Sequence, residues 1–181
     1  MNIIVEGNTD KDFLEMYCKY LKINVEIESI GGKDKLKNYK KLNNDTKYFL
    51  IIFDADNNFD LSIQNIENQI KILKNKNKNY DIFLFPNNND NGNLEILIEK
   101  IANYNEILLC FEQYVNCIES AKNYNNNILL PAKKSKVFAY MSSFGFKNGI
   151  DAKDFNFSNY VDFENNYLKP LKEFLLNNKD N

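Results

Sequence analysis

Six apolar residues in a row, Tyr48-Phe49-Leu50-Ile51-Ile52-Phe53, form the longest apolar run of the chain and end at Asp54-Ala55-Asp56. The run is too short to span a bilayer, and it lacks the alternation of a strand with one wet face. It is the pattern of a strand buried on both faces, which demands helices on both sides of a mostly parallel sheet. Two shorter runs share its character: Ile3-Ile4-Val5 stops at Glu6-Gly7, and Ile82-Phe83-Leu84-Phe85 stops at Pro86. From Val25 to Ile30 apolar and polar residues alternate, which reads as a strand with one wet face near a sheet edge.

Helical spacing fills the gaps between these runs. Thr9, with Asp12 three residues on, reads as a helix cap, and Phe13, Tyr17, Tyr20 and Leu21 recur at helical intervals until Lys22. Lys33 to Leu42 is expected as a short helix with Leu36, Tyr39 and Leu42 inward, and Phe59, Ile63, Ile66, Ile70 and Leu73 mark the next helical face, ended by the Lys/Asn run from Lys74 to Asn79. Beyond a polar loop at Asn87–Asn93, helical patterns cover Leu94–Ala102, Asn105–Lys122, Lys133–Ser143 and Phe163–Asn177. Strand–helix–strand alternation over the first 86 residues implies parallel strands joined by crossover helices. The expected class is α/β, with a Rossmann-like, mostly parallel four-stranded sheet flanked by helices and additional C-terminal helices. No repeat and no Pro/Gly/Ser-rich linker divides the chain, so one domain is expected over 1–181, with 1–100 as its sheet core and 101–181 as a helical remainder packed on it.

Composition narrows the chemistry. Among 181 residues with net charge −2 there is no His and no Arg, and all 23 basic residues are Lys. Without His there is no Ser-His, Cys-His or His-metal site. Without Arg there is no bidentate clamp on phosphate or guanine. Carboxylates, lysines, hydroxyls, amides and backbone groups remain, a ligand set that suits Mg²⁺ or Mn²⁺ rather than structural zinc. Cys18, Cys110 and Cys117 are odd in number and widely spaced, which argues against a disulfide framework. Cys110 and Cys117, seven apart in an apolar helical pattern, share one helix face and are expected as buried thiols. The asparagine clusters read as loop filler. The first residues carry no basic segment followed by a long apolar one, so neither a signal peptide nor a membrane segment is expected, and the cytoplasm is the expected compartment.

In an open parallel sheet, ligands sit beyond the carboxyl ends of the strands. Glu6 closes the first strand there, and Asp54 and Asp56 close the third, with a spacing of two that directs both side chains the same way. If those strands are neighbours, three carboxylates converge. Carboxylates that close repel one another unless protons or a cation are added, and Mg²⁺ is held by one or two of them, leaving a third for proton transfer. Taken alone, an Asp-x-Asp after a strand is more often a helix cap or a solvated loop. The pair of motifs, each at a strand end, is far more specific.

That pair resembles the Toprim domain, whose signature is a Glu after the first strand and an Asp-x-Asp after the third. Ile3-Ile4-Val5-Glu6-Gly7-Asn8-Thr9-Asp10 is similar to the first motif, and Phe49-Leu50-Ile51-Ile52-Phe53-Asp54-Ala55-Asp56 to the second. Most of the remaining length resembles small stand-alone Toprim-like proteins of unknown function and, distantly, the overcoming-lysogenisation-defect nucleases. The matching stretches include Gly31-Gly32-Lys33, Phe85-Pro86 with Gly92-x-Leu94-Glu95, Lys134-Ser135-Lys136 and Asp162-Phe163. Where that group commonly has an acid after the Pro, this chain has Asn87, which supplies an oxygen but no charge.

The resemblance implies a metal-dependent nuclease, a hydrolase of phosphodiester bonds, with Glu6, Asp54 and Asp56 as catalytic and metal-binding residues and Mg²⁺ or Mn²⁺ as cofactor. It adds Glu95 as a further ligand; the competing role for Glu95 is a first-turn acid favoured by the helix dipole. Lys33, Lys134 and Lys136 are expected to contact phosphate, although most of their neighbours read as a solvated face. An acidic chain lacks the basic footprint of a strong nucleic-acid binder, so the expected contact with nucleic acid is weak and phosphate-mediated. Neither a full topoisomerase nor a primase is expected from 181 residues. The alternative is a non-catalytic module that binds metal or nucleotide and docks a protein partner in DNA repair or phage defence.

Overall fold

The computed structural model describes residues 1–39, 48–72, 79–132, 134–145 and 157–179. Strands β1 (Asn2–Val5), β2 (Glu26–Ser29), β3 (Tyr48–Asp54) and β4 (Asn79–Phe85) form one sheet in the order β2-β1-β3-β4, with every pairing parallel. Ile3 lies between Ile27 and Leu50, and Val5 between Ser29 and Ile52. From β1 the chain moves outward to β2, then crosses back to β3 and on to β4. The order therefore reverses between β1 and β3, the place where α/β sheets open a crevice for ligands.

The period-2 alternation of the strands builds a core on each side of the sheet. Ile3, Val5, Leu50, Ile52, Phe83 and Phe85 belong to one buried cluster. That cluster also takes in Phe13 of α1 (Asn8–Tyr20), Leu97 of α3 (Leu94–Ile101), Tyr140 of α5 (Ser135–Ser142) and Leu171 of α6 (Lys169–Asn177). Ile4, Phe49, Ile51, Phe53 and Leu84 form the second cluster, with Ile66 of α2 (Phe59–Ile72) and Leu36 of a 3₁₀ turn at Lys33–Asn38. The architecture is thus the expected α/β, Rossmann-like sheet with C-terminal helices, and β3 is the strand buried on both faces. β2 lies at an edge. Among the described residues no helix is long and apolar enough to cross a membrane.

Several local expectations are corrected. The first helix begins at Asn8 with Gly7 as its cap, so Thr9 lies inside it, and Asp10 rather than Asp12 closes the turn by accepting from the Gly7 N–H at 2.7 Å. The segment expected as a helix from Lys33 tightens into the 3₁₀ turn; Leu36 is buried there, and Leu42 lies outside the described residues, as does Leu73. Most of the Lys/Asn run is likewise outside them, and its last residue, Asn79, opens β4. The last helix starts at Lys169, with Pro170 in its first turn, and not at Phe163. Proline is tolerated only where no N–H is needed, and Phe163 instead packs among the rings of Phe13, Tyr17 and Tyr20. Cys18 is buried, but Cys110 and Cys117 are exposed. They do share a face of α4 (Asn105–Lys122), but Leu108 is the buried residue of that helix, so the cysteine face meets solvent.

The C-terminal helices are tied on by backbone pairing. Ala102 and Val161 form an antiparallel bridge, and the Asp162 N–H donates to the Ile101 carbonyl at 2.7 Å. The buried Tyr140 hydroxyl donates to the Tyr160 carbonyl and accepts from the Tyr104 N–H at 3.3 Å. Tyr140→Phe leaves both partners without that oxygen and is expected to cost about 1–3 kcal/mol. The check is a lower urea midpoint with an unchanged m-value.

Candidate active site

The site grows from the carboxyl ends of β1 and β3. Val5 pairs with Ile52, so Glu6 emerges beside the last residues of β3. Its Oε1 accepts from the Asp54 N–H at 3.1 Å. The Glu6 carbonyl accepts from the N–H groups of Gly31 and Gly32 at 2.8 and 3.0 Å. Gly32 has φ 134°, a conformation that needs glycine. The two glycine N–H groups thus hold Glu6 in place and start the turn that carries Lys33.

Asp54 is half-buried, and its Oδ1 accepts from the Leu94 N–H, the first residue of α3, at 3.1 Å. Burial first, then repulsion from Asp10, Glu6 and Glu95, pushes its pKa up to about 9 against the pull of that N–H. Burial likewise raises Glu6 to about 7; the Asp54 N–H opposes this, and the Asp10 and Asp56 carboxylates add to it. Asp10 is raised to about 6 by burial, opposed by the Gly7 N–H and assisted by Glu95. Five carboxyl groups, those of Glu6, Asp10, Asp54, Asp56 and Glu95, therefore interact across one small volume.

Asp56 behaves differently from the Asp-x-Asp expectation. β3 ends at Asp54, and Asp56 has φ 52°, so strand alternation does not carry through to it. Its N–H donates to the Gly92 carbonyl at 2.7 Å, and its carboxylate pairs with Lys33 at 2.5 Å. It still acts on Glu6 electrostatically, and Lys33 acts in the opposite sense. Gly92 is required at this contact: its φ is 145°, and an added Cβ would stand 2.8 Å from Ile96 Cδ1 and 3.1 Å from Pro86 Cδ. Asn87 organises its own loop, accepting from the Asp90 N–H at 2.9 Å and donating to the Asp90 carboxylate.

Of the other predicted lysines, Lys134 is exposed at the cap of α5. Lys136 is clamped between Glu99 at 2.9 Å and Glu112 at 2.8 Å, joining α3, α4 and α5. It borders a groove of about 670 Å³ that begins at Asp56 and Glu95 and passes Phe111 and Val115 of α4. Asp10 is the residue that sequence reasoning left out of the site; a Gly-x-x-Asp cap immediately after a strand was the signal for it.

The donor types, all oxygen, fit a hard divalent cation. Their engagements are also clear: Glu6 and Asp54 each give one oxygen to a backbone N–H, Asp10 caps α1 and Asp56 holds Lys33. Among the described residues no three acidic or thiol side chains form a ready-made metal-binding group. A cation at Glu6 and Asp54 would use their other oxygens and displace the protons that burial favours.

Glu6, Asp10 and Asp54 all have pKa values raised by folding, so the native state keeps protons that the unfolded chain releases above roughly pH 4. In a metal-free buffer, stability falls as pH rises from there to about 9, the value for Asp54. Asp54→Asn is expected to flatten that slope and to raise Tm at pH 8 by about 2–6 °C. Thermal unfolding at pH 5 and pH 8 in chelator checks both.

No curated protein and no solved structure matches the chain. A family model described as protein of unknown function (DUF3226) matches residues 1–178, and the chain belongs to that family.

Proposed function

We propose that the chain is a Toprim-like phosphodiesterase that uses Mg²⁺ or Mn²⁺ to cleave nucleic acid in the cytoplasm. The observation that carries this reading is the gathering of Glu6, Asp10, Asp54 and Glu95 at the switch between β1 and β3, where repulsion helps hold the first three protonated. Such a cluster is relieved either by protons or by a cation, and carboxylates without imidazole select a hard one. Glu6 and Asp54 would hold the ion, with Asp56 and Glu95 at its margin. When bound, the ion supplies polarisation of a phosphate oxygen and a water of lowered pKa. If Asp54 holds the ion without Glu6, the second oxygen of Glu6, free of the Asp54 N–H, would instead hold or move a proton. Lys33 would exchange Asp56 for a phosphate oxygen. Lys134 would add a weak, salt-sensitive contact, whereas Lys136 is already neutralised by Glu99 and Glu112.

The non-catalytic module docking a repair or defence protein remains as a second reading, favoured by the hydrogen bonds that occupy Glu6, Asp10 and Asp54. In that reading the protonated acids stitch strand ends together.

Cleavage of single-stranded and duplex DNA and RNA with Mg²⁺ or Mn²⁺ separates the two. Glu6→Gln and Asp54→Asn, folded by circular dichroism, are expected to lose activity by about 100-fold or more. Cleavage that survives equally in both variants overturns the assignment. Metal binding with no turnover on any of the four substrates favours the module.

A further inference from the structure

The groove beside the carboxylates has a composition that a nucleic-acid strand does not suit. Its charged described residues are Asp56, Glu95, Glu99 and Glu112 against Lys136 alone, and Lys136 is already paired with two of them. Phosphates carry only acceptors and negative charge, so a run of them along this wall would be repelled. The wall also has an apolar side, made by Ile96, Phe111, Val115 and Pro131. Ile96 is 37% exposed, and the Phe111 ring lies 5.8 Å from that of Tyr114, so a flat ring laid on this side would meet both aliphatic and aromatic surface. The amides of Asn57 and Asn116 also line the groove.

A volume of about 670 Å³ matches a small organic ligand rather than a helix of duplex. Acceptor-rich walls select donors, and carboxylates pair with exocyclic base amines and with ribose hydroxyls. The geometry points to a nucleoside subsite: the groove takes one neutral base and its ribose, while the phosphate attached to them lies at the Glu6–Asp54 cluster. This rests on the phosphodiesterase reading for the position of the phosphate, and it narrows that reading to a nucleotide or a strand end, since the acidic wall leaves no path for further phosphates.

Calorimetric titration with adenosine, AMP and a 12-nucleotide DNA, each with and without Mg²⁺, tests it. Without metal the expected order of affinity is adenosine, then AMP, then the oligonucleotide. Phe111→Ala removes the stacking surface and is expected to weaken adenosine by roughly tenfold or more. Val115→Trp, which fills the groove instead of emptying it, is expected to do the same, so that a folding defect in one variant does not decide the matter. Glu6→Gln and Asp54→Asn should leave adenosine binding unchanged. Mg²⁺ should strengthen AMP but not adenosine, and that gain should vanish in Glu6→Gln. Absence of any Mg²⁺ gain for AMP in the wild-type protein, with its adenosine binding intact, would sink the phosphodiesterase reading and leave the subsite standing. Adenosine binding that is absent at millimolar concentration, indifferent to both groove variants, or weaker than that of the metal-free oligonucleotide overturns the subsite itself.

Discussion

A single carboxylate joins the two central strands where the chain changes direction. Glu6 receives the Asp54 N–H on its side chain and the Gly31 and Gly32 N–H groups on its carbonyl. It thereby fixes the end of β1, the end of β3 and the turn after β2 with one residue. An alanine there would leave the Asp54 N–H without this acceptor in a half-buried place. A glutamine would preserve an acceptor but remove the charge. The choice of an acid brings a group that prefers water into a site where Asp10, Asp54 and Glu95 already compete for it. Structural needs alone would be met by a neutral amide, so the retained carboxyls are the feature that any account of this protein has to explain.

The parts of the fold that depend on local pattern were legible in the sequence. The apolar run of β3 announced its burial, the alternation of β2 announced an edge, and the acids at strand ends marked the crevice. What escaped depends on contacts between distant segments. Asp56 leaves the strand geometry because its N–H is drawn to the Gly92 carbonyl, a residue 36 positions away in the numbering. Asp10 joins the site because a glycine cap turns α1 back over the sheet, and a helix-capping acid and a site acid look the same in one dimension. Cys110 and Cys117 share a face, as spacing says, but spacing does not say which face of α4 is covered. Phe163 shows the same limit: its apolar character fits helix or loop equally, and Pro170 decides.

Lysine placement changes the meaning of the net charge. A value of −2 over 181 residues suggests near balance, yet balance is local in this protein. Lys33 pairs with Asp56 at the surface, where each side chain keeps more than 40% of its exposure, so the pair contributes little to stability and can open readily. Lys136 sits between two glutamates with 17% exposure and is correspondingly firmer. One lysine is thus available for exchange and the other serves as a strut between helices. The difference arises from burial and from the number of acidic partners, and it separates two residues that a sequence count treats alike.

The same local accounting bears on how any polyanion could approach. With Lys33 and Asp56 cancelling each other, the crevice retains Glu95 beside Glu6, Asp10 and Asp54, whose pKa values burial raises. A divalent cation would bring that volume close to neutrality but not to a strong positive potential. Long-range attraction of a strand needs several unpaired cations in line, and the wall that continues from Glu95 to Glu99 and Glu112 offers the opposite sign. In the proposed function, capture would then rely on short-range contacts, which would favour a ligand with one phosphate near the acids and an uncharged ring beyond it. On the proposed reading, the arrangement of acids would set the length of a substrate as well as the metal that serves it.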